Sequence, residues 1–138
     1  MATTAKAANT RSAKPAAKPA SRPGEVAARA EPQLCFHHSQ ELRIKTDAVL
    51  AALEETPGDA RHGAALADLA AELTEAGMDY YFLRPLRLAK VGIIGEQSAR
   101  LAMAGAVKII SSVSRKYIVR MDQGQLLTVA AHLRELAR

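Results

Sequence analysis

Met78-Asp79-Tyr80-Tyr81-Phe82-Leu83-Arg84-Pro85 opens a run of chain that continues from Leu86 to Arg120 without another proline. Four of the five aromatic side chains lie in it, as do most of the basic residues outside the N-terminal region. Beyond Pro85, the residues Leu86, Ile93, Ile94, Leu101, Met103, Val107, Ile110, Val113 and Tyr117 keep close to helical spacing. Treated as one helix, Pro85 to Val119 would extend roughly 52 Å at about 1.5 Å per residue. A domain of about 100 residues has a diameter of only roughly 35 Å. The helix must therefore break, protrude, or be completed by a partner chain. Gly92, Gly95 and Gly105 are the available break points, and Gly105 is nearest the middle. The expectation is two helices meeting there. Lys108 to Val119 is rich in β-branched residues, the composition least favourable to a helix.

The elements on either side are helical by the same criteria. Ser39 is placed to cap a first helix, whose stripe is Leu42, Thr46, Val49, Leu50 and Leu53. Thr56-Pro57-Gly58-Asp59 reads as the start of a second helix, with His62, Leu66, Leu69, Ala70 and Leu73 as its stripe and Gly77 as an αL stop. Asp79 is a candidate N-cap for the long run. Asp122 and Gln125 form a capping-box pair opening a last helix, with Leu126, Val129 or Ala130, Leu133, and Leu136 or Ala137 along its buried side. The fold class is all-α: a compact bundle of four to five helices over residues 35–138, preceded by a basic tail over residues 1–34.

The tail is Ala/Lys/Pro-rich. Ala13-Lys14-Pro15-Ala16-Ala17-Lys18-Pro19-Ala20 is a near repeat, and too little of it is large and apolar to offset the entropy of ordering it, so disorder with polyproline II character is expected. Charge is unevenly distributed: net +4 over residues 1–32, −6 over 33–81 and +7 over 82–138. An acidic half followed by a basic half predicts packing with opposite charges across the seam, each exposed pair contributing about 0–1 kcal/mol. One cysteine, Cys35, excludes an internal disulfide framework. No apolar run is long enough for a transmembrane helix and the N-terminus has no apolar signal core, so a cytoplasmic location is expected.

Few residues suggest chemistry. Cys35, His37 and His38 collect three possible metal ligands, but a closed zinc site needs a fourth, which His62 or His132 would supply only through the fold. Gly92-Ile93-Ile94-Gly95 has G-x-x-G spacing, yet its apolar centre does not suit a backbone-clamping loop. Gly92, Gly95, Ala99, Ala102 and Gly105 instead read as small residues that let another helix approach. No P-loop, G-x-S-x-G, H-E-x-x-H or apolar carboxylate pair is present, and no cofactor is implied. Glu96 is placed to bond Arg100 one turn on. The interaction candidates are Tyr80, Arg84, Arg87 and Lys90 at one end of the run, with Arg115, Lys116 and Arg120 at the other. Such aromatic and basic groupings suit a protein interface, an anionic surface or nucleic acid.

Through Asp79-Tyr80-Tyr81-Phe82-Leu83-Arg84-Pro85-Leu86 and Gly95-Glu96-Gln97-Ser98-Ala99, residues 35–138 resemble uncharacterised small helical proteins of β-proteobacteria, a resemblance that implies no activity. The tail alone is similar in composition to those of linker-histone-like DNA-associated proteins and of polyester-granule-associated proteins. The reading is a non-enzymatic protein acting by helix-mediated association with a protein partner or with itself. An accessory nucleic-acid binder using the tail and basic patches, and a polyester-granule-associated protein, are the alternatives.

Overall fold

Ser39 Oγ accepts the Leu42 backbone N–H at 3.1 Å and starts α1, Gln40–Glu55. The structure, a computed structural model, describes residues 34–137; the tail expected over residues 1–34 lies, but for Leu34, outside the described residues. Helix α1 buries Leu42, Thr46, Leu50 and Leu53, with the Thr46 hydroxyl bonded back to the Leu42 carbonyl at 2.7 Å. The next helix does not begin at Thr56. Thr56 closes α1 instead, its N–H and hydroxyl both donating to the Ala52 carbonyl. Pro57 to Arg61 form a turn, and α2 covers His62–Met78. His62 is buried with Nε2 2.7 Å from the Thr56 carbonyl oxygen, so the ring ties the turn to the helix start.

Gly77 is not an αL stop. It sits inside α2 facing Phe36, whose ring carbon lies 3.7 Å from where a Cβ would stand. Asp79 is likewise no N-cap: the chain passes from α2 into a π turn, Asp79–Leu83, and then α3, Arg84–Leu88. Pro85 explains the wide turn. Its ring cannot sit over the carbonyl four residues back, and the ladder relaxes to an i→i−5 bond from Arg84 N–H to the Asp79 carbonyl.

The break in the long run falls at Ala89–Gly92, not at Gly105. Lys90 N–H donates to the Arg87 carbonyl at 3.1 Å and Val91 N–H to the Leu86 carbonyl at 3.4 Å, the paired bonds of a Schellman stop. Lys90 holds φ 54° and Gly92 φ 92°. Gly92 was among the expected break points; Gly105 is not broken because nothing there forces a left-handed residue. Since a lysine in that region costs about 1–2 kcal/mol relative to glycine before the entropy of the unfolded chain is counted, Lys90→Gly is expected to stabilise by about 1 kcal/mol. A thermal melt showing no rise in Tm would count against this turn geometry.

Helix α4, Ile93–Ile118, then runs unbroken for 26 residues through Gly95, Gly105 and the β-branched segment, roughly 39 Å. Asp122 and Gln125 cap α5, Gln123–Leu136, with both bonds of the capping box formed. The fold is all-α. Leu42, Leu50, Leu53, Leu66, Leu69, Leu126 and Ala130 make the core, drawn from α1, α2 and α5. Helix α4 packs along α2 and the π turn, at the edge of that core.

Candidate interaction surface

The Tyr80 corner is largely engaged with itself. Asp79 and Arg87 pair along the continuous π turn and α3, eight residues apart, with Arg87 Nη2 2.8 and 2.9 Å from the two carboxylate oxygens. Arg87 Nε also lies 3.7 Å from Glu96, which bonds Arg100 at 3.1 Å as the i,i+4 spacing requires. The Arg84 guanidinium stands 5.2 Å over the Tyr80 ring. Tyr80 meets Tyr81 edge-on at 5.3 Å and packs near Phe36 and His37. Its faces are therefore occupied from within the chain, leaving little ring surface for stacking on a base.

Across the seam, opposite charges meet as the halves of the sequence suggest. Arg115 pairs with Asp68, and Arg134 forks onto Glu54 at 3.0 and 3.2 Å while reaching Asp47 at 3.0 Å. Lys90, Lys116 and Arg120 have no ion-pair partner among the described residues. Hydrogen bonding by Arg134 holds the Glu54 carboxyl below its ordinary value of 4.5. A lowered folded value contributes stability above the unfolded pKa and loses it as pH falls through the folded one. The Tm gap between the chain and Glu54→Gln is accordingly expected to be a few degrees at most at neutral pH and to shrink as the pH falls below the ordinary carboxylate value of 4.5. A gap constant from pH 7 to 3 would contradict that linkage.

The distinctive feature is α4 itself. None of its 26 residues is buried. Ile109 is 68% exposed, Val113 49% and Tyr117 69%, with Ile94 and Leu101 more exposed still. Gly95, Ala99, Ala102, Ala106, Ile109 and Val113 recur at steps of four, three, four, three and four residues, the seam of a coiled coil. Along this seam Gly95, Ala102, Ile109 and Val113 are exposed and Ala99 and Ala106 half-buried. The helix thus has two apolar sides: one packed on α2, the other, along this seam, left mostly exposed.

Of the small residues singled out in the sequence, Gly95, Ala99 and Ala102 fall on the seam and Gly105 beside it, whereas Gly92 lies in the turn before the helix. What the sequence reading missed is Ile109 with Val113. Their apolar character is plain in the sequence, but a covered and an uncovered apolar side look alike there. Among the described residues, no group of three or more His, Cys, Asp and Glu side chains is placed to hold a metal, Cys35 is exposed, and no helix is long and apolar enough to cross a membrane. A surface cleft of about 460 Å³ is lined by Glu41, Lys45, Glu72, Glu75 and Asp79, an open acidic groove crossed by the Lys45–Glu72 pair. Comparison with protein-family models, with characterised proteins and with solved structures returned no match.

Proposed function

We propose that this chain is a non-enzymatic interaction protein that works by helix-mediated protein association, with the uncovered side of α4 as the contact. One observation carries the reading: a helix of 26 residues whose apolar side chains, Ile109 and Val113 among them, are left in solvent. Exposed apolar surface of that extent is unfavourable by about 25 cal/mol per Å² relative to burial, and contiguous patches on monomers commonly mark contact sites. The basic candidates fit the rim of such a contact better than its centre, since Arg87 and Arg115 are already paired.

In-cell crosslinking of the full chain, compared with Ile109→Glu/Val113→Glu, tests the reading. The expected result is a discrete crosslinked complex, homomeric or heteromeric, that the double variant loses while its circular dichroism stays helical. A wild-type chain that crosslinks to no protein, itself included, would sink the proposal. The second reading, accessory nucleic-acid binding, is favoured by Lys90, Lys116 and Arg120 standing without acidic partners among the described residues. It requires binding to DNA or RNA that weakens steeply between about 50 and 200 mM salt. Absence of binding at the lower salt would remove it.

A further inference from the structure

We infer that the partner covering α4 is a second copy of the same chain, laid antiparallel along the heptad seam; this rests on the association reading above. The first argument is side-chain size. The seam is small at its N-terminal half (Gly95, Ala99, Ala102) and large at its C-terminal half (Ile109, Val113). Interdigitated packing sets large against small across facing positions. In an antiparallel pair centred between Ala102 and Ala106, Gly95 meets Val113 of the second copy, Ala99 meets Ile109, and Ala102 meets Ala106. The layers then differ far less in volume than the Gly/Gly to Ile/Ile range of a parallel pair, and the helices can stay closer to evenly spaced. A parallel pair would put Gly95 on Gly95 and Ile109 on Ile109, so the helices would have to splay.

The second argument is charge. Continued toward its C-terminus, the seam reaches Lys116 and Arg120, both without ion-pair partners among the described residues. A parallel pair would bring each against its own copy. The antiparallel pair separates the two Lys116 residues by roughly 36 Å along the axis, from about 1.5 Å of rise per residue. It also carries each toward the end of the other helix that holds Asp79 and Glu96, the acids gathered around Arg87. The third argument is area. A stripe roughly 39 Å long and about 10 Å wide offers roughly 400 Å² per chain in projection. That is about half of the roughly 800 Å² which a standard interface takes from each partner. A contact of that size belongs to the weak, transient class, so the dimer exchanges with free monomer.

The test uses the full chain carrying Cys35→Ser, so that introduced cysteines are the only thiols. Two chains are prepared, one with Ala99→Cys and one with Ile109→Cys, and each is oxidised alone and in an equal mixture. The expected result is a disulfide-linked dimer abundant in the mixture and scarce, by about tenfold, in either chain alone. Efficient linkage of Ala99→Cys to itself would overturn the antiparallel arrangement. Sedimentation of the unmodified chain closes the test: its mass should rise with concentration, and Ile109→Glu should weaken that association by tenfold or more. A wild-type mass fixed at the monomer through the millimolar range overturns the second copy as partner. In that case a heteromeric crosslink lost in Ile109→Glu/Val113→Glu would still leave the broader association reading standing, so the two failures are distinguishable.

Discussion

Leu66→Ala is expected to lower the free energy of unfolding by about 3 kcal/mol, within the 2–5 kcal/mol span of buried leucine truncations. Leu66 is fully buried in α2 and belongs to the core cluster that takes Leu42, Leu50 and Leu53 from α1 and Leu126 and Ala130 from α5. The core is small and built on leucine and alanine, so few neighbours can collapse into the vacated space. Part of the loss is transfer of the removed methyl groups, and the rest is the cavity. For a domain of this size, with total stability in the range of about 5–15 kcal/mol, such a loss is a substantial fraction. Leu101→Ala is the control. Its side chain is 76% exposed on α4, and a surface truncation there should stay within about 0.5 kcal/mol. Urea unfolding of both variants in dilute protein decides the matter. Equal losses would mean that the core does not lie where α1, α2 and α5 meet.

The parts of this fold that were legible in the sequence are those decided by neighbours along the chain. Ser39 and the Asp122–Gln125 pair cap the helices they were expected to cap because a cap needs only side chains within three residues. The stripe of Leu42, Thr46, Leu50 and Leu53 is buried because its spacing allows one side of the helix to be apolar and nothing else. Charge halves were also informative, since Arg115–Asp68 and Arg134–Glu54 join them across the bundle.

The misreadings share a cause: one residue type serves two roles. Gly77 looked like an αL stop, but glycine also occurs inside helices, and here it lies within α2 with the Phe36 ring at ordinary contact distance, 3.7 Å from where a Cβ would stand. Thr56 looked like the cap that opens a helix, but its hydroxyl bonds backwards to Ala52 and closes one. At Gly105 the sequence offered a break that the backbone does not take, while Lys90, a poor left-handed residue, supplies the turn. The interaction surface was half legible for the same reason. Small residues at Gly95, Ala99 and Ala102 announce close approach by some helix. Which side of α4 remains uncovered depends on α2 reaching it from one direction only, and periodicity does not encode that.

Gly63→Val is expected to cost about 2–3 kcal/mol and to loosen α4 specifically. Gly63 is the second residue of α2 and buried, and a Cβ added there would lie 3.1 Å from Val119 Cα, 3.3 Å from the Ile118 carbonyl oxygen and 3.4 Å from that of Val119. All three are backbone atoms at the end of α4, so no side chain can rotate out of the way. For Gly63→Ala, that crowding is opposed by a gain of up to about 1 kcal/mol in helix propensity, and the net change should be within about 1 kcal/mol of zero. Valine adds two methyl groups with a single favoured χ1 in a helix, beyond what a shift of a few tenths of an ångström can absorb, and overpacking of this kind costs about 1–3 kcal/mol. The helix end must then move away from α2, straining the Arg115–Asp68 pair and the turn through Met121. Trypsin reports this directly: cleavage after Lys116 and Arg120 should be faster in Gly63→Val than in Leu66→Ala under native conditions, although both are destabilised by similar amounts. Loosening by this route also disturbs the seam from behind, so the variant should associate less well despite touching no partner. A Gly63→Val chain with an unchanged Tm and unchanged cleavage would mean that α2 and the end of α4 are not in backbone contact, and that the uncovered side of α4 is held in place by something else.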